Sequence, residues 1–134
     1  MPYEFLRAHE MVPLHWETRQ RTLLVGFPSR LDYVAMSAIE AVLHCRVKPC
    51  ILREDLFQVA MLQFESGPRH TAVFPSHLNI ADRARIVRNY VQETGAEEVR
   101  CGTSSRYFWA RLSGTGCTDL LFAVPGYTGA VAEI

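Results

Sequence analysis

The sequence predicts an α+β, or mixed α/β, protein: a small mixed sheet with packed helices, followed by a unit of one helix and antiparallel strands. Three observations predict it. The first half reads strand, strand, helix, strand, helix, with apolar residues switching between a two-residue and a 3.6-residue period. A stretch holding Gly67, Pro68 and Pro75 then interrupts the pattern. After it come a helix closed by Gly95 and three short strands separated by turns containing Ser and Gly. The expected organisation is two units, residues 1–66 and 77–126, packed on one another. A chain of 134 residues can bury a core without disulfide or metal staples.

Tyr3 to Met11 suits a short helix, with Phe5, Leu6 and His9 toward one face. Val12 to Glu17 is a strand that Pro13 assigns to an edge, because proline has no N–H to give to a ladder. The polar run Glu17 to Arg21 turns the chain into a buried strand, Thr22 to Phe27, so the pair forms a hairpin. Pro28-Ser29-Arg30 breaks this strand, and Asp32 caps a helix running to about Leu43. Only Ser37 and Glu40 are polar inside that helix, so it is covered on several sides, either by the second half of the chain or by another protein.

Arg46 to Leu52 is the third strand, again an edge by its Pro49. The intervening helix serves as a right-handed crossover if strands two and three are parallel. Glu54 to Phe64 is a helix with Leu56, Val59, Ala60, Gln63 and Phe64 near one face. Glu65 to Ser76 reads as a linker, with room for a short strand at Val73-Phe74. Asn79 caps the helix Ile80 to Thr94, whose Ile80, Ala84, Val87 and Val91 recur as one buried stripe, and Gly95 closes it. Strands Glu98–Thr103, Tyr107–Leu112 and Leu120–Val124 follow, and the tail from Pro125 to Ile134 is expected to fray.

Charge and composition exclude several function classes. Fourteen basic residues balance fourteen acidic ones, which leaves no electrostatic footprint for nucleic acid or an anionic membrane surface. No stretch approaches the ~20 apolar residues of a membrane span. The opening residues carry Glu4, Arg7 and Glu10 and resemble neither a signal nor a transit peptide. A cytoplasmic protein without membrane insertion is expected. Cys45, Cys50, Cys101 and Cys117 lack zinc-site spacing and read as buried small apolar side chains kept as thiols.

Residues Val12 to Met61 carry a recognisable order: Pro13-Leu14 opening a strand, Leu24-Val25 before Pro28, Asp32 opening a helix that includes Ile39, and Val47-Lys48-Pro49 before a last helix. This order resembles the N-terminal domain of type II secretion and type IV pilus assembly ATPases. Where that family often has glycine before the third strand, this chain has His44-Cys45. Gly95-Ala96, Arg111 and Gly114 echo the family's following domain. The resemblance implies a docking or regulatory module that links a motor to a protein partner such as the cytoplasmic part of an inner-membrane secretion component. The unit also occurs in other membrane-associated machines, so the host machine is left open. Some relatives of this domain bind cyclic di-GMP through stretches opening with Arg-Leu-Gly. No such tripeptide occurs here, Arg30-Leu31-Asp32 being the nearest.

The residues themselves offer little chemistry. No G-x-x-x-x-G-K-[ST] run is present, so the chain is not the motor. No G-x-S-x-G elbow is present, and His9, His15, His44, His70 and His77 show no metal-site spacing. Ser104-Ser105-Arg106 suits an anion-binding turn in composition but reads first as a plain turn. The expectation is a non-catalytic module with no cofactor and no metal. Its expected contact residues are Tyr33 and Met36 on the apolar helix, and Tyr107 and Trp109 on the aromatic strand, where Phe108 faces the other way. The alternative is a small-ligand sensor for a cyclic dinucleotide or nucleotide, which requires a concave site rimmed by arginines.

Overall fold

The first half of the chain builds a three-stranded sheet. Helix α1 (Tyr3–Ala8) leads into strands β1 (Val12–Glu17) and β2 (Thr22–Phe27), then helix α2 (Tyr33–Leu43), strand β3 (Arg46–Ile51) and helix α3 (Glu54–Glu65). Strands β1 and β2 form an antiparallel hairpin, and β3 lies parallel to β2 on its other side, with α2 as the crossover. The two proline-bearing strands are both edges, as Pro13 and Pro49 require. The ladder shifts register between Pro13, paired with Val25, and His15, paired with Leu24, leaving Leu14 without a partner as in a bulge. The computed structural model describes residues 1–65 and 70–126; most of the tail expected to fray lies outside them.

The second sheet contains β4 (Thr71–Phe74), β5 (Glu98–Thr103), β6 (Tyr107–Ser113) and β7 (Cys117–Ala123), in the order β4-β7-β6-β5, with helix α4 (Ile80–Thr94) between β4 and β5. Strands β5, β6 and β7 form an antiparallel meander, and β4 adds parallel to β7. Residues 71–74, expected inside a linker, are therefore an edge strand. The second unit has four strands and starts earlier than residue 77. The short strand allowed for at Val73-Phe74 is present and starts two residues earlier, and the ladder it joins is supplied by a segment nearly fifty residues later. The fold is α+β.

Alternation along β6 divides the interior into two cores. Tyr107 and Trp109, with Leu121 and Ala123 of β7, join Phe5, Val25, Phe27 and Ile39 in the larger core. Ala110, Leu112, Leu120 and Phe122 point to the other face and pack on Ile86, Val87, Tyr90 and Val91 of α4. Helix α2 lies between the sheets, touching β3 on one side and β5 and β6 on the other. The second half of the chain thus covers one side of the apolar helix, while Tyr33 and Val34 stay exposed. The approach to β5 is close: a Cβ on Gly102 would sit 2.7 Å from the Ala38 carbonyl oxygen.

The helix ends follow from local chemistry. Asp32 Oδ1 accepts a hydrogen bond from the Ala35 N–H at 3.0 Å and caps α2. At the other end His44 adopts the left-handed conformation (φ 53°, ψ 57°) that glycine more often supplies. Arg21, from the β1–β2 turn, donates to the Leu43 and His44 carbonyl oxygens at 2.9 and 2.8 Å. A cation on the last carbonyls of a helix also complements its dipole.

Candidate functional site

Three segments distant in sequence converge at one end of the interface between the sheets. His9 is the C-cap of α1, Asp32 the N-cap of α2, and Ser104 opens the β5–β6 turn. His9 Nδ1–H donates to Asp32 Oδ2 at 2.8 Å, and His9 Nε2 lies 2.7 Å from Ser104 Oγ. His9 and Ser104 are buried, and the Asp32 carboxylate is partly exposed. Burial holds the His9 imidazole below its ordinary pKa, while the hydrogen bond to Asp32 and its charge act in the opposite direction. The neutral ring therefore bridges the two partners.

Asp32, His9 and Ser104 stand in the order of a hydrolase relay, but the serine is not placed to attack. Its Oγ accepts hydrogen bonds from the Arg106 and Tyr107 N–H groups at 3.2 and 3.1 Å. With its proton directed to His9 Nε2, both lone pairs and the single donor of the hydroxyl are in use. A nucleophile needs a free lone pair facing a substrate, and this oxygen turns inward. What the arrangement does is join α1, α2 and the second sheet through one satisfied polar network.

Beside this network opens a cleft of about 500 Å3 whose walls include Glu10, Ser29, Arg30, Tyr33, Ser105 and Arg106. Arg30 and Arg106 line it together with Ser29 and Ser105, and Glu10 and Asp32 line it as well, so the cleft carries charge of both signs. Such a cleft suits a small polar ligand that carries anionic groups and also offers donors of its own. Among the described residues no group of three or more His, Cys, Asp or Glu side chains is arranged to hold a metal ion.

The four expected contact residues fare unequally. Tyr33 is 67% exposed and borders the cleft. Met36, Tyr107 and Trp109 are not at the surface and must be corrected to core residues. Met36 turns inward with Ala35 and Ile39, and the Trp109 ring lies tilted at 42°, 4.9 Å from the Phe5 ring, while its Nε1–H donates to Asp119 Oδ1 at 2.8 Å. The physical reason is that β6 is an inner strand covered on both faces, so its aromatic side chains meet the chain's own helices. Ser104-Ser105-Arg106 does form a turn. Its link to His9 was missed, since residues 9, 32 and 104 share no spacing; the only local signals were a capping aspartate and a serine turn.

No protein-family model matches this chain, and neither a curated protein nor a solved structure is significantly similar to it. The likeness to the secretion ATPase unit accordingly rests on the motif residues alone. Among the described residues no helix is long and apolar enough to cross a membrane.

Proposed function

We propose that this chain is a non-catalytic docking module and that the outer side of α3 is its contact face. One observation carries the reading. Leu56, Val59 and Leu62 recur every three residues along α3 and are 50%, 57% and 63% exposed, while Phe57 and Met61 of the same helix are in the core. A helix needs one apolar side to pack on its own domain; a second, solvated row is surface that a partner removes from water. The motif resemblance adds the class of partner, the cytoplasmic part of an inner-membrane secretion component, and a cytoplasmic site of action.

The test is calorimetric titration of such a partner with the full chain and with Val59→Glu. Val59 is solvated, so the variant keeps its fold, and affinity is expected to fall by at least about tenfold because a charge cannot be buried unpaired at an interface centre. Equal affinity for the variant and the parent chain would remove α3 as the contact face.

A second reading is favoured by the cleft, because Arg30 and Arg106 supply the arginine-rimmed concavity that a ligand sensor requires. In this reading cyclic di-GMP, ATP or GTP raises the melting temperature saturably, since a ligand of the folded state stabilises it. The rise is lost in Arg30→Ala. A flat response to all three nucleotides sinks it and leaves the docking reading standing.

A further inference from the structure

The stripe Ile80, Ala84, Val87, Val91 has the spacing of a buried helix face, yet the chain covers only its second half. Val87 and Val91 pack on the second sheet, whereas Ala84 is exposed and Ile80 is 75% exposed. Helix α4 lies over β6 and β7 and leaves the edge strand β5 bare on that side, where Val99 and Cys101 are solvated. Thr103 pairs with Phe108, so Cys101, two residues earlier, shares the Phe108 face. Between α4 and this edge runs a groove of about 480 Å3, walled by Ile80, Ala84 and Val87 from the helix and by Cys101 and Phe108 from the sheet.

The groove's charged walls are of one sign. Arg83 and Arg88 border it and no carboxylate does. The Arg83 guanidinium rests 5.4 Å from the centre of the Phe108 ring, and neither arginine enters an ion pair among the described residues. The neighbouring Arg85, by contrast, is held by Asp82 at 3.4 Å. A carbon-lined trough with unpaired guanidinium groups at its rim complements a molecule that has an apolar body and an anionic head.

We infer that this groove binds a single-chain amphiphile with a carboxylate head, a molecule of the fatty-acid class. Size separates this occupant from a protein. The groove's volume falls in the ~300–1,000 Å3 range of small-molecule sites. Seven residues border it, far short of the roughly 20–30 per side that a stable protein interface uses. The aliphatic tail lies along Ile80, Ala84 and Val87, and the carboxylate meets Arg83 and Arg88. Each methylene that enters contributes about fourfold in affinity. The site is separate from both the α3 face and the cleft beside His9, so it stands whatever becomes of either reading.

Cys101 and Cys117 are exposed rather than buried as expected, one on the edge strand β5 and the other at the first residue of β7. Cys101 therefore offers a reporter inside the groove and Cys117 an internal reference outside it. The experiment alkylates the full chain with iodoacetamide in the presence of decanoate, kept below its aggregation range, and maps each thiol by peptide mass spectrometry. Saturating decanoate is expected to slow Cys101 by about tenfold, since a covered thiol loses access to the reagent, and to leave Cys117 unchanged. Decanol, with the same chain and no charge, should need about tenfold more for equal protection. Arg83→Glu with Arg88→Glu should abolish protection by decanoate. Ala84→Trp, at an exposed position, should shield Cys101 without any ligand and shows that the groove is intact. Unaltered Cys101 reactivity in decanoate overturns the site, and equal protection by decanol overturns the carboxylate head.

Discussion

Helices α2 and α4 are built with the same punctuation and put to different use. Each begins on a side chain that accepts from the third N–H of the helix, Asp32 in one and Asn79 in the other, and each ends on a left-handed residue, His44 or Gly95. Helix α2 then buries Ala35, Met36, Ala38, Ile39 and Val42 between two sheets, while α4 buries no residue fully and leans on one face of the second sheet. Capping therefore decides where a helix starts and stops, and apolar coverage decides how much the fold depends on it. Substitutions around α2 should unfold the protein, and substitutions around the first half of α4 should leave the fold alone.

The largest expected effect is at the floor on which α1 and α2 rest. Trp109 is fully buried against Phe5, and Trp109→Ala should cost about 3–5 kcal/mol, read as a shift in urea midpoint. It also strips Asp119 of an indole donor in a site where that aspartate is buried. Wild-type stability in this variant would mean that the larger core does not hold the two sheets together.

A pair of glycines sharpens the comparison next. Gly102→Ala places a methyl group against the Ala38 carbonyl of α2 and should destabilise by about 1–3 kcal/mol through overpacking. Gly95→Ala, at the end of α4, meets no atom within 4 Å, but φ is +69°, so it should cost about 1 kcal/mol from backbone strain alone. An asparagine at residue 95, which tolerates that conformation, should recover part of the loss, whereas no side chain rescues Gly102. Thermal denaturation of the three variants distinguishes a spatial constraint from a conformational one.

Much of this was legible in the sequence, and the boundary of legibility is physical. The helices from Tyr33 and Ile80, with the caps Asp32, Asn79 and Gly95, follow from interactions over three or four residues, which a local pattern records. The prolines identified both edges of the first sheet for the same reason: a missing N–H is a local fact. Only the Val73-Phe74 half of β4 was legible, because its pairing partner is far along the chain, and the His9–Ser104 contact was hidden because 95 positions separate the two residues. The rotation of α4 was hidden as well. Periodicity shows that Ile80, Ala84, Val87 and Val91 share a side of the helix, and only the sheet beneath decides which of them it reaches.

The two N-caps make a further difference, in pH dependence. Asn79 and Asp82 satisfy each other in a closed capping box, whereas Asp32 shares its carboxylate with His9. The folded His9 pKa is lowered, so the unfolded chain binds the proton more readily. Stability from this residue should be fully present above the ordinary value of about 6.5 and lost as pH falls below it, until the folded pKa is passed. Urea midpoints should thus drop as pH falls below about 6.5, and less so in His9→Gln, which retains a side-chain hydrogen-bonding group. A rise on acidification would show that the Asp32 charge outweighs burial.

The smallest effect tests the other side of the comparison. Ile80→Ser removes a large apolar side chain from the first turn of α4, where it is 75% exposed, and should change stability by no more than about 0.5 kcal/mol. The same exchange at Ile39, fully buried in α2, removes a comparable volume from the core and leaves a hydroxyl without water. If Ile80→Ser proved as harmful as that, the N-terminal half of the α4 stripe would be structural and the groove beside it part of the fold. If it is neutral while decanoate protection of Cys101 weakens, the side chain is held at the surface for a ligand, because solvation of an isoleucine gives the folded chain nothing in return.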